Sequence, residues 1–228
     1  MFGRKSYLVF LVAMMCGLVA LPAWAAGPGN PGPPAGVGGG WADAPHLNLN
    51  FTGAALSATD QASLLYVVQE EKLARDVYQF LGAAWNLPIF ENIAAAEQQH
   101  MDAVGSLLEY NGLTDPTDSL AVGEFDDPTL QGLYGQLTSQ GQASYTDALW
   151  VGATIEDLDI FDLTARMGES TNEDLLRVFS NLEEGSENHL RAFAGQLENY
   201  GADYTAQYIS QAQLEEILAS PWNAGPNW

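Results

Sequence analysis

The sequence predicts an all-α protein, a four-helix bundle of two helical hairpins with short extra helices, and three observations support this. Apolar residues recur at helical spacing along four long segments, and no segment shows the strict alternation of apolar and polar residues typical of a strand. Two of the three histidines lie in stretches that repeat one another. A long, turn-rich connection of about 30 residues separates the first two long segments from the last two.

The predicted helices have recognisable start and stop signals. Ser57 with Asp60 forms a plausible cap for the first helix, and Asn111-Gly112 ends the second. The fourth long helix begins at the capping-box pattern Ser170-Thr-Asn-Glu173. These signals and the apolar spacing predict helices over residues 57–84, 89–110, 128–139, 145–167, 170–200 and 211–218.

The internal repeat is centred on His100 and His189. Phe, Asn, His, Ala, Leu, Glu and Gly occur at the same offsets around both histidines. Such a repeat predicts a symmetric site to which each hairpin contributes one half. Two hairpins joined by one long crossover are the connectivity of ferritin-like four-helix bundles.

Residues 1–25 have the pattern of a secretory signal peptide. Arg4 and Lys5 precede an apolar run, and Ala23-Trp24-Ala25 forms a small-x-small cleavage signal. We therefore expect an exported protein, periplasmic or secreted, that has no membrane association after cleavage. Cys16 is the only cysteine and would be removed with the signal, so the mature chain would fold without disulfides.

The remaining chain divides into three parts. Residues 26–56 are rich in Gly and Pro and read as a flexible segment. Residues 57–218 form the predicted ferritin-like helical domain, and residues 219–228 form a C-terminal tail. The formal net charge of −22 excludes nucleic acid and anionic membranes as expected partners, and it favours attraction of metal cations.

Candidate metal ligands follow from the repeat. Glu97-x-x-His100 puts a carboxylate and an imidazole on one helix face. Glu71 in the first helix aligns with Glu156 in the third long helix, with leucines at the same offsets on both sides. Glu70 is the alternative to Glu71. Glu156 lies in an otherwise apolar run, where a carboxylate must be paired, protonated or metal-bound.

The second half of the repeat departs from symmetry at Ser186. This residue stands where the first half has Glu97, so His189 lacks a partner carboxylate on its own helix. Asp159, one turn after Glu156, could supply the missing oxygen. The predicted ligands are Glu71, Glu97, His100, Glu156, Asp159 and His189, a mixture that suits iron or manganese without excluding zinc.

Four segments carry a family resemblance: Glu71-Lys-Leu-Ala-Arg-Asp-Val-Tyr78, Phe90-Glu-Asn-Ile-Ala, Glu97-x-x-His100-Met-Asp and Asn188-His-Leu-Arg-Ala-Phe193. Over residues 58–218 the chain resembles an uncharacterised exported family of the ferritin-like superfamily, similar in plan to rubrerythrin and erythrin. Rubrerythrin-like helices carry a Glu followed by Ala-Arg and a Tyr, and a second carboxylate one turn after the third helix's glutamate. The resemblance implies a dinuclear metal site with oxidative chemistry.

The leading functional prediction is a di-metal site, most readily with two iron ions, that supports ferroxidase- or peroxidase-like chemistry. Its partners would be metal ions with O₂ or peroxide, and Tyr78 would donate a hydrogen bond or a proton. Whether the protein is an enzyme stays open. The alternatives are a non-catalytic protein that binds or sequesters metal, and a metal-free acidic helical interaction module. Homo-oligomerisation is also left open.

Overall fold

The computed structural model describes residues 50–222. Over this range the protein is all-helical, with six helices and no strand, so the predicted all-α fold is confirmed. We number the helices in chain order as α1 Ala58–Trp85, α2 Pro88–Tyr110, α3 Pro128–Gly141, α4 Tyr145–Met167, α5 Glu173–Asn199 and α6 Gln211–Ala219.

Several predictions concern residues outside this range. The signal peptide of residues 1–25, Cys16, most of the Gly/Pro-rich segment and the end of the C-terminal tail all lie outside the described residues. Among the helices between residues 50 and 222, none combines the length and apolar character that crossing a membrane requires.

The start of α5 differs from its predicted capping box. Asn172, not Ser170, is the N-cap, and its side chain accepts hydrogen bonds from the backbone N–H groups of Asp174 and Leu175. Ser170 lies outside the helix, and its hydroxyl donates to Asp60 at the start of α1, at 2.6 Å. The prediction was therefore wrong about the capping residue, and the serine instead ties the starts of α1 and α5 together.

The four long helices pack as two pairs. Helix α1 packs along α2 after a connection of two residues in which Asn86 adopts a left-handed conformation (φ 53°), and α4 packs along α5. The pairs meet where α1 contacts α4 and where α2 contacts α5. Helix α3, within the crossover, packs against α1 and α4. The ferritin-like form of this arrangement stays a prediction.

Two apolar layers fill the space between the long helices. One is a mainly aliphatic layer with members from all four long helices, including Leu64, Leu107, Leu163 and Phe179. The other is aromatic: the rings of Tyr78, Phe90 and Phe193 have centroids 5.3–6.0 Å apart. All the side chains named here are fully buried. The polar residues considered below lie between these layers along the helices.

A buried lysine fastens the crossover to α1. The Lys72 ammonium contacts the Asp76 carboxylate at 2.5 Å and donates to the backbone carbonyls of Ala121 and Glu124 at 2.8 and 3.1 Å. Lys72 also lies over the ring of Phe125, 4.4 Å from its centroid. The lysine is fully buried, and its partners on the crossover compensate the removal of its charge from water.

Replacing Lys72 with Met should destabilise the fold by about 3 kcal/mol, because Asp76 would keep a buried charge and two crossover carbonyls would lose their donor. Urea unfolding measures this change. The matched control is Arg75→Met, which removes a more exposed cation from the same carboxylate and should cost less, because Lys72 and the Gly123 N–H still compensate Asp76. Equal losses in the two variants would contradict the role given to Lys72.

Candidate metal centre

Five predicted ligands come together between the four long helices. Glu71 comes from α1, Glu97 and His100 from α2, Glu156 from α4 and His189 from α5. Each of the three glutamates is only 1% exposed, and the two histidines are 4% and 6% exposed. Ionisable side chains are rarely buried this completely unless they are paired or bind metal.

The first half of the site joins α1 to α2. His100 Nδ1 lies 3.1 Å from Glu71 Oε2 and 2.8 Å from Glu97 Oε2. One ligand atom from each of these residues lies within 4.8 Å of the other two. The i, i+3 spacing of Glu97 and His100 on α2 lets both side chains face α1, as the sequence predicts.

The second half joins α2 to α4 and α5. His189 Nδ1 lies 2.9 Å from Glu97 Oε1 and 3.4 Å from Glu156 Oε2. These three residues form another group with ligand atoms within 4.8 Å of one another. Glu97 belongs to both halves, with one carboxylate oxygen beside each histidine, and the imidazole rings stack with centroids 5.5 Å apart.

Several polar atoms of the cluster have no hydrogen-bond partner. They are Glu71 Oε1, Glu97 Oε1 and His189 Nδ1, all buried. Glu97 Oε1 and His189 Nδ1 make an ion-pair contact at 2.9 Å that is not aligned as a good hydrogen bond. Buried polar atoms are nearly always hydrogen-bonded, so lone pairs left over in one place suit a cation that all of them could coordinate.

Burial and mutual charge shift the ionisation of the site strongly. Burial, with the nearby Glu97 charge, raises the pKa of Glu156 to about 8. Burial acts to lower the pKa of His189, but the carboxylates of Glu97 and Glu156 outweigh it and raise that pKa to about 9. Burial likewise acts to raise the pKa of Glu97, yet the two histidines hold it below its usual value.

Asp159 is held by the residue that breaks the repeat. The Ser186 hydroxyl donates to Asp159 Oδ2 at 2.5 Å, and Ser186 is fully buried. Burial raises the pKa of Asp159 to about 7 against this hydrogen bond. Asp159 does not join either three-residue group within 4.8 Å. Sequence reasoning identified Ser186 as a gap but did not foresee its contact with the carboxylate suggested as a replacement.

Tyr78 lies against the α4 side of the site. Its hydroxyl donates a short hydrogen bond to Glu156 Oε1 and lies 3.3 Å from the carbonyl of Gly152. Burial and the Glu156 charge raise the pKa of Tyr78 well above its usual value, so the phenol keeps its proton. The predicted hydrogen-bond donor thus acts on Glu156 of the opposite hairpin, not on Glu71 of its own helix.

Glu70, the alternative to Glu71, belongs to a different group. Burial and the charge of Asp162 raise its pKa well above the usual value, while Arg166 acts to lower it. The guanidinium of Arg166 lies over the Tyr66 ring, 4.2 Å from the ring centroid. Because Glu71 and not Glu70 contacts His100, the geometry favours the predicted choice between the two.

Gly185 allows α5 to approach His100, which sequence reasoning missed. A Cβ atom at this position would lie 2.5 Å from His100 Nε2 and 2.7 Å from Cε1. No side chain fits there unless the imidazole moves, and the imidazole is held by two glutamates. The glycine beside Ser186 was the available signal, since glycine in a helix interior is unfavourable without a packing reason.

Gly185→Ala should destabilise the protein by about 1–3 kcal/mol, because the added methyl group overpacks the site. Gly195→Ala is the control on the same helix: nothing lies within 4 Å of its Cβ position. That change should stabilise the fold by up to about 1 kcal/mol through helix propensity. Urea unfolding of both variants checks this, and changes of the same sign would contradict the packing argument.

The metal-free protein should lose stability as pH rises from about 6.5 to 9. His189 has a folded pKa of about 9 against 6.5, so its contribution is complete below pH 6.5 and is lost toward pH 9. Glu156, with a pKa raised from 4.5 to about 8, acts in the same direction. Thermal unfolding of chelator-treated protein across this range measures the effect; a melting temperature that rises would contradict it.

Comparison with known proteins shows the family. The sequence profile described as "Uncharacterized protein domain (DUF2202)" matches residues 60–221. The chain is 48% identical over 172 residues to the uncharacterized protein MJ0754 of Methanocaldococcus jannaschii. The aligned region covers 75% of this chain and 93% of that protein. A crystal structure of the hypothetical protein MJ0754 from Methanococcus jannaschii matches with a TM-score of 0.75 at 46% identity, over 76% of this chain and 99% of that one. The predicted membership of an uncharacterised family is confirmed, and the chain belongs to the DUF2202 domain family.

Proposed function

We propose that this protein binds two metal ions, most readily iron, between its four long helices and uses them in ferroxidase- or peroxidase-like redox chemistry. One observation carries the proposal: the two oxygens of the Glu97 carboxylate lie 2.8 and 2.9 Å from the Nδ1 atoms of two different histidines. A carboxylate oriented in this way is suited to bridge two cations, each of which would also take one imidazole.

The remaining ligands divide between the two cations. Glu71 and His100 would hold one ion, and Glu156 and His189 the other. With Asp159, the centre contains four carboxylates, whose charges balance those of two divalent cations. Neutral imidazole and carboxylate ligands together suit iron and manganese, and zinc fits less specifically. The unpartnered buried atoms of the cluster support the same conclusion.

The protein's own groups prepare the site for this chemistry. Bound iron would exchange electrons with O₂ or peroxide as substrate. The apolar layers on either side of the site exclude water. This exclusion strengthens the electrostatic interactions among the charged side chains that lie between the two layers. Tyr78 holds a proton on the oxygen that faces Glu156 Oε1, and can thereby orient that carboxylate toward the metal. The signal-peptide pattern of residues 1–25 supports export, so the metal would be acquired outside the cytoplasm.

A second candidate function is metal binding without turnover. Ser186 stands where a symmetric site would have a second glutamate like Glu97. One bridging carboxylate instead of two would suit storage or sequestration of metal as well as catalysis. The two functions predict the same metal content and differ in turnover, so separate measurements are required.

Purified mature protein should contain close to two iron or manganese ions per chain by elemental analysis. The double variant His100→Ala, His189→Ala should lose both, because each cation loses its imidazole. His46→Ala is the matched control: it removes the third histidine, which lies outside the described residues, and should keep the metal. Unchanged metal content in the double variant would refute the proposed site.

Oxidation of Fe(II) then separates the two functions. Catalysis predicts that the iron-loaded protein, supplied with excess Fe(II) as the reductant, consumes O₂ or peroxide over many turnovers, and that the double histidine variant shows only the background rate. Stoichiometric binding without turnover would favour storage or sequestration. Absence of metal after reconstitution would refute both functions and favour an acidic helical interaction module.

A further inference from the structure

The two halves of the site differ at two pairs of repeat-equivalent positions. On α2 the residue three before the histidine is Glu97, and on α5 it is Ser186. On α4 the residue three after the aligned glutamate is Asp159, and on α1 it is Ala74. Relative to the first hairpin, the second hairpin lacks a glutamate on α5 and has an additional aspartate on α4. The carboxylates of the site are therefore placed asymmetrically.

The serine and the aspartate contact one another directly. Ser186 Oγ lies 2.5 Å from Asp159 Oδ2 and 3.0 Å from the carbonyl of Leu182 on its own helix. A hydroxyl has one proton to donate, and a carboxylate is the stronger acceptor at the shorter distance. The serine is fully buried, and Asp159 is partly buried. The contact restricts the short Asp159 side chain to one orientation.

That orientation brings Asp159 toward the first half of the site. Gly185, the residue before Ser186, packs against the His100 imidazole, because a Cβ atom at Gly185 would lie 2.5 Å from His100 Nε2. Ser186 and the Asp159 carboxylate bonded to it therefore lie at the level of His100, one helical turn before His189. His189, by contrast, contacts the carboxylates of Glu97 and Glu156, at 2.9 and 3.4 Å. The half built on Glu71 and His100 therefore has one more carboxylate nearby than the half built on Glu156 and His189.

We propose that Ser186 is a positioning residue that holds Asp159 beside the Glu71–His100 half of the site, so that this half binds the tighter of the two metal ions. The inference rests on the proposed function. The Glu156–His189 half binds the second ion more weakly, because it has fewer carboxylates beside it.

Calorimetric titration of chelator-stripped protein with Mn²⁺ alone tests the proposal. The wild-type protein should show two steps, one tight and one weak. Ser186→Ala should weaken the tight step about tenfold or more, as loss of a partner to a ligating carboxylate does, and should leave the weak step unchanged. Asp159→Asn should weaken the same step, and Ser186→Thr, which keeps the hydroxyl, should restore it at least in part.

Thr138→Ala is the matched control. Thr138 is a buried residue whose hydroxyl bonds to backbone carbonyls of its own helix, α3, which contributes none of the candidate ligands. Its loss should change stability slightly and leave both steps unchanged. If the Ser186 hydroxyl only served the Leu182 carbonyl, Ser186→Ala would behave in the same way, and the inference would be overturned.

The remaining outcomes are also decisive. Two equal steps in the wild-type protein, or a Ser186→Ala variant that weakens both steps equally, would overturn the asymmetry while the proposed di-metal function stands. Absence of Mn²⁺ binding by the wild-type protein, together with absence of iron, would refute the proposed function and the inference with it.

Discussion

The contact of Glu97 with two histidines is the interaction on which the rest of the site depends. A carboxylate removed from water requires compensation from charge or hydrogen bonds, and Glu97 receives it from an imidazole of α2 and another of α5. The other two glutamates then share those imidazoles from α1 and α4. These contacts link all four long helices at the level of the site.

This polar layer imposes requirements on its neighbours. Helix α5 must approach α2 closely, which leaves room for no side chain at Gly185. The layer is enclosed by aliphatic side chains on one side and by the aromatic rings of Tyr78, Phe90 and Phe193 on the other. Interactions between charges are strongest where water is excluded. A centre built in this way gains from a bound cation and is poorly satisfied without one.

Much of the fold was predictable because its signals are local. Helical spacing and caps such as Ser57 with Asp60 predict element type and most boundaries. The ligand positions were accessible for a different reason: the internal repeat aligns Glu71 with Glu156 and His100 with His189. Spacing along one helix cannot show that Glu97 lies between both histidines, since that depends on how the hairpins meet.

Other features depend on contacts between distant parts of the chain and were not predictable. The bond between Ser186 and Asp159 joins α5 to α4, and no local pattern distinguishes it from a missing ligand. The capping box at Ser170 matched the expected letters, yet the serine bonds to Asp60, 110 residues away. Nothing in the local sequence distinguishes Lys72 from a solvent-exposed lysine. Its burial depends on the crossover carbonyls that accept its hydrogen bonds.

The burial of Lys72 has a consequence for the chemical reactivity of the protein. The sequence contains lysine only at positions 5 and 72, and only the second lies among the described residues. In the folded protein Lys72 is shielded from amine-reactive reagents beneath the crossover. Acylation of that lysine would therefore record each transient detachment of the crossover from α1, which makes this single amine a natural reporter of local opening.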